Sequence, residues 1–135
     1  CTGGLIGAAM TDMAGSSEYF LGSAVTYSNE AKMKLLGVRE QTLADHGAVS
    51  EETASEMALG AAALFGADYS VAVTGIAGPG GETPTKPVGL VYIAVSDGSR
   101  VVVTKNNFEG GRQQVRDSTV MEACGLLKDF IEGIL

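Results

Sequence analysis

Residues 69-YSVAVT-74, followed by 75-GIAGPGGETPTKPVG-89, set the fold class. A strand with one wet face alternates apolar and polar residues. A nearly continuous apolar run bounded by glycine instead reads as a strand covered on both faces. The glycine-rich loop that follows holds Gly75, Gly78, Gly80, Gly81 and Gly89, with Pro79, Pro84 and Pro87 between them. Such a loop beyond a strand end frees backbone N–H groups that can form an anion-binding concavity, and ligands of open α/β sheets bind beyond strand carboxyl ends. A surface turn with awkward dihedrals is the equally simple reading.

Working outward, Ser50-Glu51-Glu52 is a capping hydroxyl followed by acids, which predicts a helix running to Phe65 and stopped by Gly66. After the loop, Val88–Val95 and Arg100–Asn106 read as strands joined by the hairpin turn Ser96-Asp97-Gly98-Ser99. Gly110-Gly111 precedes a helix expected from Arg112 to about Ile134. Before the loop, Tyr19–Tyr27 is rich in aromatic and β-branched residues and reads as a strand. A helix capped by Ser28 and stopped by Gly37 follows it, and then a short helical turn and loop over 38–47. Residues 4–13 carry apolar side chains at helical spacing. Strands alternating with helices predict an α/β domain with a mixed sheet and helices on both faces.

The 135 residues suit one domain, and 45% hydrophobic content supplies a core. Sixteen acids against nine bases give a net charge of −7, which argues against a nucleic-acid or anionic-membrane binder. The longest uncharged apolar run, Met57–Ala67, is too short to cross a bilayer. With no signal peptide evident, a cytoplasmic homo-oligomer is expected. Cys1, Cys124 and the single histidine, His46, give neither a disulfide framework nor metal-ligand spacing, so no metal or cofactor is expected. The opening Cys1-Thr2-Gly3-Gly4 reads as the middle of a strand-to-helix turn. The expectation is one domain over 1–135 that lacks an N-terminal helix and strand.

Candidate chemistry gathers in 15-GSSEYFLGSAVTYSNEAK-32, which places Ser16, Ser17, Tyr27 and Lys32 around an apolar run. A serine hydroxyl needs a base to attack at neutral pH, and a chain with one histidine offers lysine as the substitute. The lysine must be neutral to act, and burial with nearby positive charge lowers its pKa toward that state. A solvated lysine on a helix is the alternative. Tyr27 and Lys32 are five apart, not the four of the dehydrogenase Tyr-x-x-x-Lys pair, and no dinucleotide fingerprint accompanies them. Arg112 opens the last helix, where the helix end and a guanidinium both favour anions, although solvent-facing arginines are common there.

The motifs CTGG, GSSEYFLG, TYSNEAK, LLGV, HGAVSEE, VTGIAGPGG and KPVG, in this order, resemble the C-terminal domain of the competence/damage-inducible CinA family over the whole chain. The resemblance implies a nicotinamide mononucleotide deamidase that releases ammonia through a serine–lysine mechanism. Its nucleophile would fall on Ser17, the second serine of GSS, with Lys32 as base and Tyr27 beside it. Thr74, Gly75 and Gly78 would line the substrate pocket, and Arg112 would hold the nucleotide phosphate. Arg112 stands in Gly-Gly-Arg rather than the family's usual Gly-Asp-Arg. Family members carry Glu-Ser ahead of the CTGG cysteine, and many have a further N-terminal domain. Two rivals stay open: an amidase for a related small amide, and a non-catalytic interaction domain in competence or DNA-damage responses.

Overall fold

The computed structural model describes residues 1–135. Elements follow in the order α1 (Leu5–Thr11), α2 (Asn29–Leu36), α3 (Glu40–His46), α4 (Glu51–Phe65), β1 (Ser70–Gly75), β2 (Leu90–Ser96), β3 (Val101–Asn107) and α5 (Arg112–Ile131). The cap signals explain the helix bounds. Ser28 Oγ accepts from Ala31 N–H at 3.1 Å, and Ser50 Oγ accepts from Thr53 N–H at 3.2 Å. Gly37 and Gly66 close α2 and α4 in the left-handed conformation that glycine adopts without strain.

The three strands form one antiparallel sheet in the order β1-β2-β3, with Ala72 opposite Ala94 and Val73 opposite Ile93. Side chains alternate between two cores. Ala72 and Ala94 pack with Ala54, Met57 and Ala58 of α4 and with Leu36 of α2. Val91 and Ile93 face the opposite way, toward Val115 and Ala123 of α5. Helices therefore cover both faces of the sheet, and the chain is α/β as its sequence predicts. The sheet within this chain is antiparallel throughout.

That antiparallel sheet reflects the main departure from expectation. Residues 19–27 do not form a paired strand. Ser16–Glu18 make a single 3-10 turn, and the chain then runs extended to Ser28 with no ladder on either side. Its side chains still alternate as a strand's do: Gly22, Ala24 and Thr26 are the less exposed set. Gly22 lies on the Phe65 ring, where a Cβ would meet Cε1 at 2.8 Å. The local conformation is thus strand-like, and what is missing is a neighbouring strand edge to bond to. Two smaller differences have local causes. β2 begins at Leu90 because Gly89, at φ 92°, turns its N–H back to Ile76 C=O at 2.8 Å. α5 stops at Ile131, with Gly133 at φ 77° beyond it.

Candidate active site

Lys32 sits in the first turn of α2 and is 6% exposed. Its Nζ donates to the Thr26 carbonyl at 2.8 Å and to the Tyr27 carbonyl at 3.4 Å. Burial holds its pKa below the ordinary lysine value. A neutral amine has two N–H donors and one lone pair. Two carbonyls therefore satisfy a neutral Lys32 and leave its lone pair free to take a proton. The composition left open whether this lysine is solvated; the structure places it inside.

Lys32 does not stand alone. Lys32 is held to Thr26, and Thr26 lines one cavity with Cys1, Thr2, Gly3 and Gly4 of the turn that leads into α1. Arg116 of α5 reaches the same turn, with Arg112 one helical turn before it. None of them pairs with a carboxylate; the ion pairs of the chain join Arg39 to Glu56, His46 to Glu52 and Lys128 to Glu132. Arg112 opens α5 and donates from Nη1 to the Gly78 carbonyl at 2.8 Å, so its guanidinium is tied to the glycine-rich loop. Arg116, one turn further on, donates from Nη2 to Thr2 C=O at 3.1 Å, and its buried Nε has no partner. In an acidic chain this is a local cluster of cations without carboxylate partners.

The glycine-rich loop is fixed where it leaves the sheet. Thr74 is 4% exposed, and its Oγ1 donates to Ala48 C=O at 2.8 Å. A Cβ on Gly75 would meet Val91 Cγ2 at 2.6 Å and Leu90 O at 2.9 Å, so only glycine fits that end of β1. Gly78 has φ 87° and its Cα approaches Val88. On the far side Lys86 Nζ reaches His46 C=O at 2.6 Å.

The serine turn lies apart from these hydrogen bonds. Ser16 is 8% exposed and uses its carbonyl to accept from Tyr19 and Phe20 N–H. Ser17 is exposed, and its hydroxyl makes no hydrogen bond. The hydrogen bond expected between Ser17 and Lys32 is not made, because both bonds of Lys32 Nζ end on main-chain carbonyls. Tyr27 does meet Lys32, but through its carbonyl; its ring is 83% exposed. Sequence reading missed Arg116 altogether. The available signal was the four-residue spacing from Arg112, which puts both guanidinium groups on one face of α5.

Residues 1–131 match the family model of the CinA C-terminal domain. The chain belongs to the CinA C-terminal domain family. A CinA-like protein of Endomicrobium trichonymphae is 57% identical over 95% of this chain and 30% of its own length. A putative competence-damage inducible protein of Clostridium perfringens is 50% identical over 99% of this chain and 32% of its own. The chain thus spans about a third of the length of the CinA relatives it matches. Among solved structures, the competence/damage inducible protein CihA from Agrobacterium tumefaciens superposes with a TM-score of 0.91 at 46% identity, covering 94% of this chain and 78% of that one. A CinA superfamily protein from Klebsiella pneumoniae gives 0.93 at 35% identity, covering 98% and 83%. No helix of this CinA domain is long and apolar enough to cross a membrane.

Proposed function

We propose that the domain hydrolyses the carboxamide of nicotinamide mononucleotide to nicotinate mononucleotide and ammonia. The observation that carries this reading is the buried Lys32, bonded to two main-chain carbonyls and free of carboxylates, with Arg116 and Arg112 at the neighbouring turn into α1. A lysine without a carboxylate partner and with a lowered pKa can serve as a base. Two arginines beside it suit the phosphate of a nucleotide. The family resemblance supplies the substrate and the hydroxyl, Ser17. Lys32 takes the Ser17 proton as Oγ attacks the amide carbon, and a backbone N–H stabilises the oxyanion. Ammonia leaves with the proton returned by Lys32, and water releases the carboxylate by the same route. Ammonia release from the mononucleotide by the purified protein tests the reading, and its absence would favour the interaction-domain rival.

A second reading concerns the attacking group alone. Thr26, which accepts from Lys32 Nζ, lines one cavity with the Cys1 turn, and the hydrogen bonds of Lys32 leave Ser17 unlinked. A nucleophile placed at that turn, such as the serine the resemblance sets directly ahead of the CTGG cysteine, is then the alternative to Ser17. The two readings separate in one comparison. If Ser17 attacks, Ser17→Ala lowers turnover by several orders of magnitude and Ser16→Ala does so far less. Undiminished turnover in Ser17→Ala assigns the attack to the Cys1 turn.

Phosphate binding gives an independent expectation. A charge-assisted hydrogen bond contributes about 1.5–3 kcal/mol. Arg112→Ala should raise the substrate KM by about ten- to a hundredfold, and the dephosphorylated nucleoside should be a correspondingly poor substrate. Arg112→Lys should recover only part of the loss, since an ammonium cannot bridge Gly78 and a phosphate as a fork does. Equal kcat/KM on nucleoside and nucleotide would remove the phosphate from the argument.

A further inference from the structure

Three successive main-chain carbonyls at the corner between α3 and α4 accept four side-chain hydrogen bonds. Ser50 Oγ and Thr53 Oγ1 donate to Gly47 C=O at 2.9 and 2.7 Å. Thr74 Oγ1 of β1 donates to Ala48 C=O at 2.8 Å. The corner is thereby fixed to α4 and to the sheet. The fourth donor comes from the glycine-rich loop: Lys86 Nζ reaches His46 C=O at 2.6 Å. His46 closes α3, where carbonyls lack partners within the helix and the helix end is negative, so a lysine suits that acceptor. The seat is close-fitting, because a Cβ on Gly47 would meet Nζ at 2.9 Å.

The loop has few other ties. Its roots are joined, with Gly89 N–H donating to Ile76 C=O at 2.8 Å. Thr83 and Lys86 exchange main-chain hydrogen bonds at 2.9 and 3.2 Å, and Leu90 N–H reaches Pro87 C=O. Residues 79–85 are exposed. Within 77–88 only two hydrogen bonds reach a helix: Lys86 to the end of α3, and Arg112 Nη1 of α5 to Gly78 C=O at 2.8 Å. These two ties are mechanically linked. A Cβ on Gly78 would meet Val88 Cγ1 at 2.6 Å, so the outgoing and returning arms of the loop touch there. Val88 is two residues from Lys86, and Pro87 between them restricts the backbone. The position of Lys86 is thus passed through Val88 to Gly78, and from the Gly78 carbonyl to Arg112.

We propose that Lys86 is a positioning residue. It straps the returning arm of the glycine-rich loop to the α3–α4 corner, and so sets the Gly78 carbonyl that aims Arg112 at the substrate phosphate. This role rests on the phosphate contact proposed above. Without the strap the loop keeps its roots, so the fold survives. Gly78 is then held from the Arg112 side alone, and the guanidinium loses its fixed direction. The loss falls on the phosphate and spares the rest of the substrate.

Calorimetric binding separates this role from a general loosening and from the amidase reading. Lys86→Met keeps an unbranched stem but has no donor. It should weaken binding of nicotinamide mononucleotide about tenfold and leave the dephosphorylated nucleoside within about twofold of the parent protein. Lys86→Arg, which can still donate to the His46 carbonyl, should recover most of the mononucleotide affinity. A methionine variant that binds the mononucleotide as the parent does overturns the proposal. So does an equal loss on nucleotide and nucleoside, which would make the strap structural only. If the parent binds the mononucleotide without releasing ammonia and Lys86→Met binds it more weakly, the amidase reading fails and the strap stands. A parent that binds neither compound removes the phosphate contact, and the strap with it.

Discussion

Lys32→Arg should remove turnover as completely as Lys32→Ala, with each losing about two to four orders of magnitude in kcat. A guanidinium keeps its proton throughout the accessible pH range, so it cannot act as a base, although it preserves charge and length. The pH dependence has a definite sign. The active form is the neutral amine, and burial lowers the pKa of Lys32. The rate should therefore be full above that lowered value and fall about tenfold per pH unit below it. Without the shift, with a pKa near 10.4, nearly all of the lysine would be charged at neutrality. The measurement is kcat/KM for ammonia release against pH, with circular dichroism to confirm folding of each variant. A rate unchanged to about pH 5, or an arginine variant with most of its activity, would sink Lys32 as the base.

The second large effect concerns one hydrogen atom on each of two helices. Gly60 lies in α4 where it crosses α2, and a Cβ there would fall inside the Leu36 carbonyl, with the Leu36 carbonyl carbon at 2.6 Å. The neighbour is backbone and cannot rotate aside. Gly125 lies in α5 with nothing within 4 Å of its Cβ position. The intrinsic helical gain of alanine over glycine, about 1 kcal/mol, is the same at both sites. Gly125→Ala should therefore stabilise the protein by about 0.5–1 kcal/mol. At Gly60 overpacking outweighs that gain, and Gly60→Ala should destabilise by about 2–4 kcal/mol. Denaturant unfolding of the two variants checks the opposite signs. Because α2 carries Lys32, Gly60→Ala should also lower activity by more than its unfolded fraction. A Gly60→Ala protein as stable as the parent would mean that the α2–α4 contact yields easily.

Residues whose partners are close in sequence were the legible ones. Ser28, Gly37, Ser50 and Gly66 each cap a helix within four residues, and all four fix the ends expected of them. The apolar run read at 69–74 forms β1 over Ser70–Gly75, covered on both faces as its composition suggested. Segment 19–27 has the composition and alternation of a strand, yet pairing depends on an edge elsewhere in the fold, which no local pattern reports. The site behaves likewise. Lys32 could be singled out as an amine near serines, but its burial depends on how the preceding segment packs. Thr74 bonds to a carbonyl 26 residues away. Arg116 carries no local mark, because an arginine on a long helix looks the same whether it meets water or the opening turn of the chain.

The Arg116–Thr2 hydrogen bond joins residues 114 positions apart. Contacts of such separation form late, since the chain must close a long loop before they return any free energy. Synthesis proceeds from the N-terminus at about 5–20 residues per second, so the Cys1 turn and Lys32 exist for some seconds before α5 leaves the ribosome. During that interval α2 and α4 can pack, but neither arginine is present. On the proposed phosphate contact, competence to bind the nucleotide would therefore arrive with the last helix, and nascent chains shorter than about Arg116 would hold the buried amine of Lys32 with neither arginine near it.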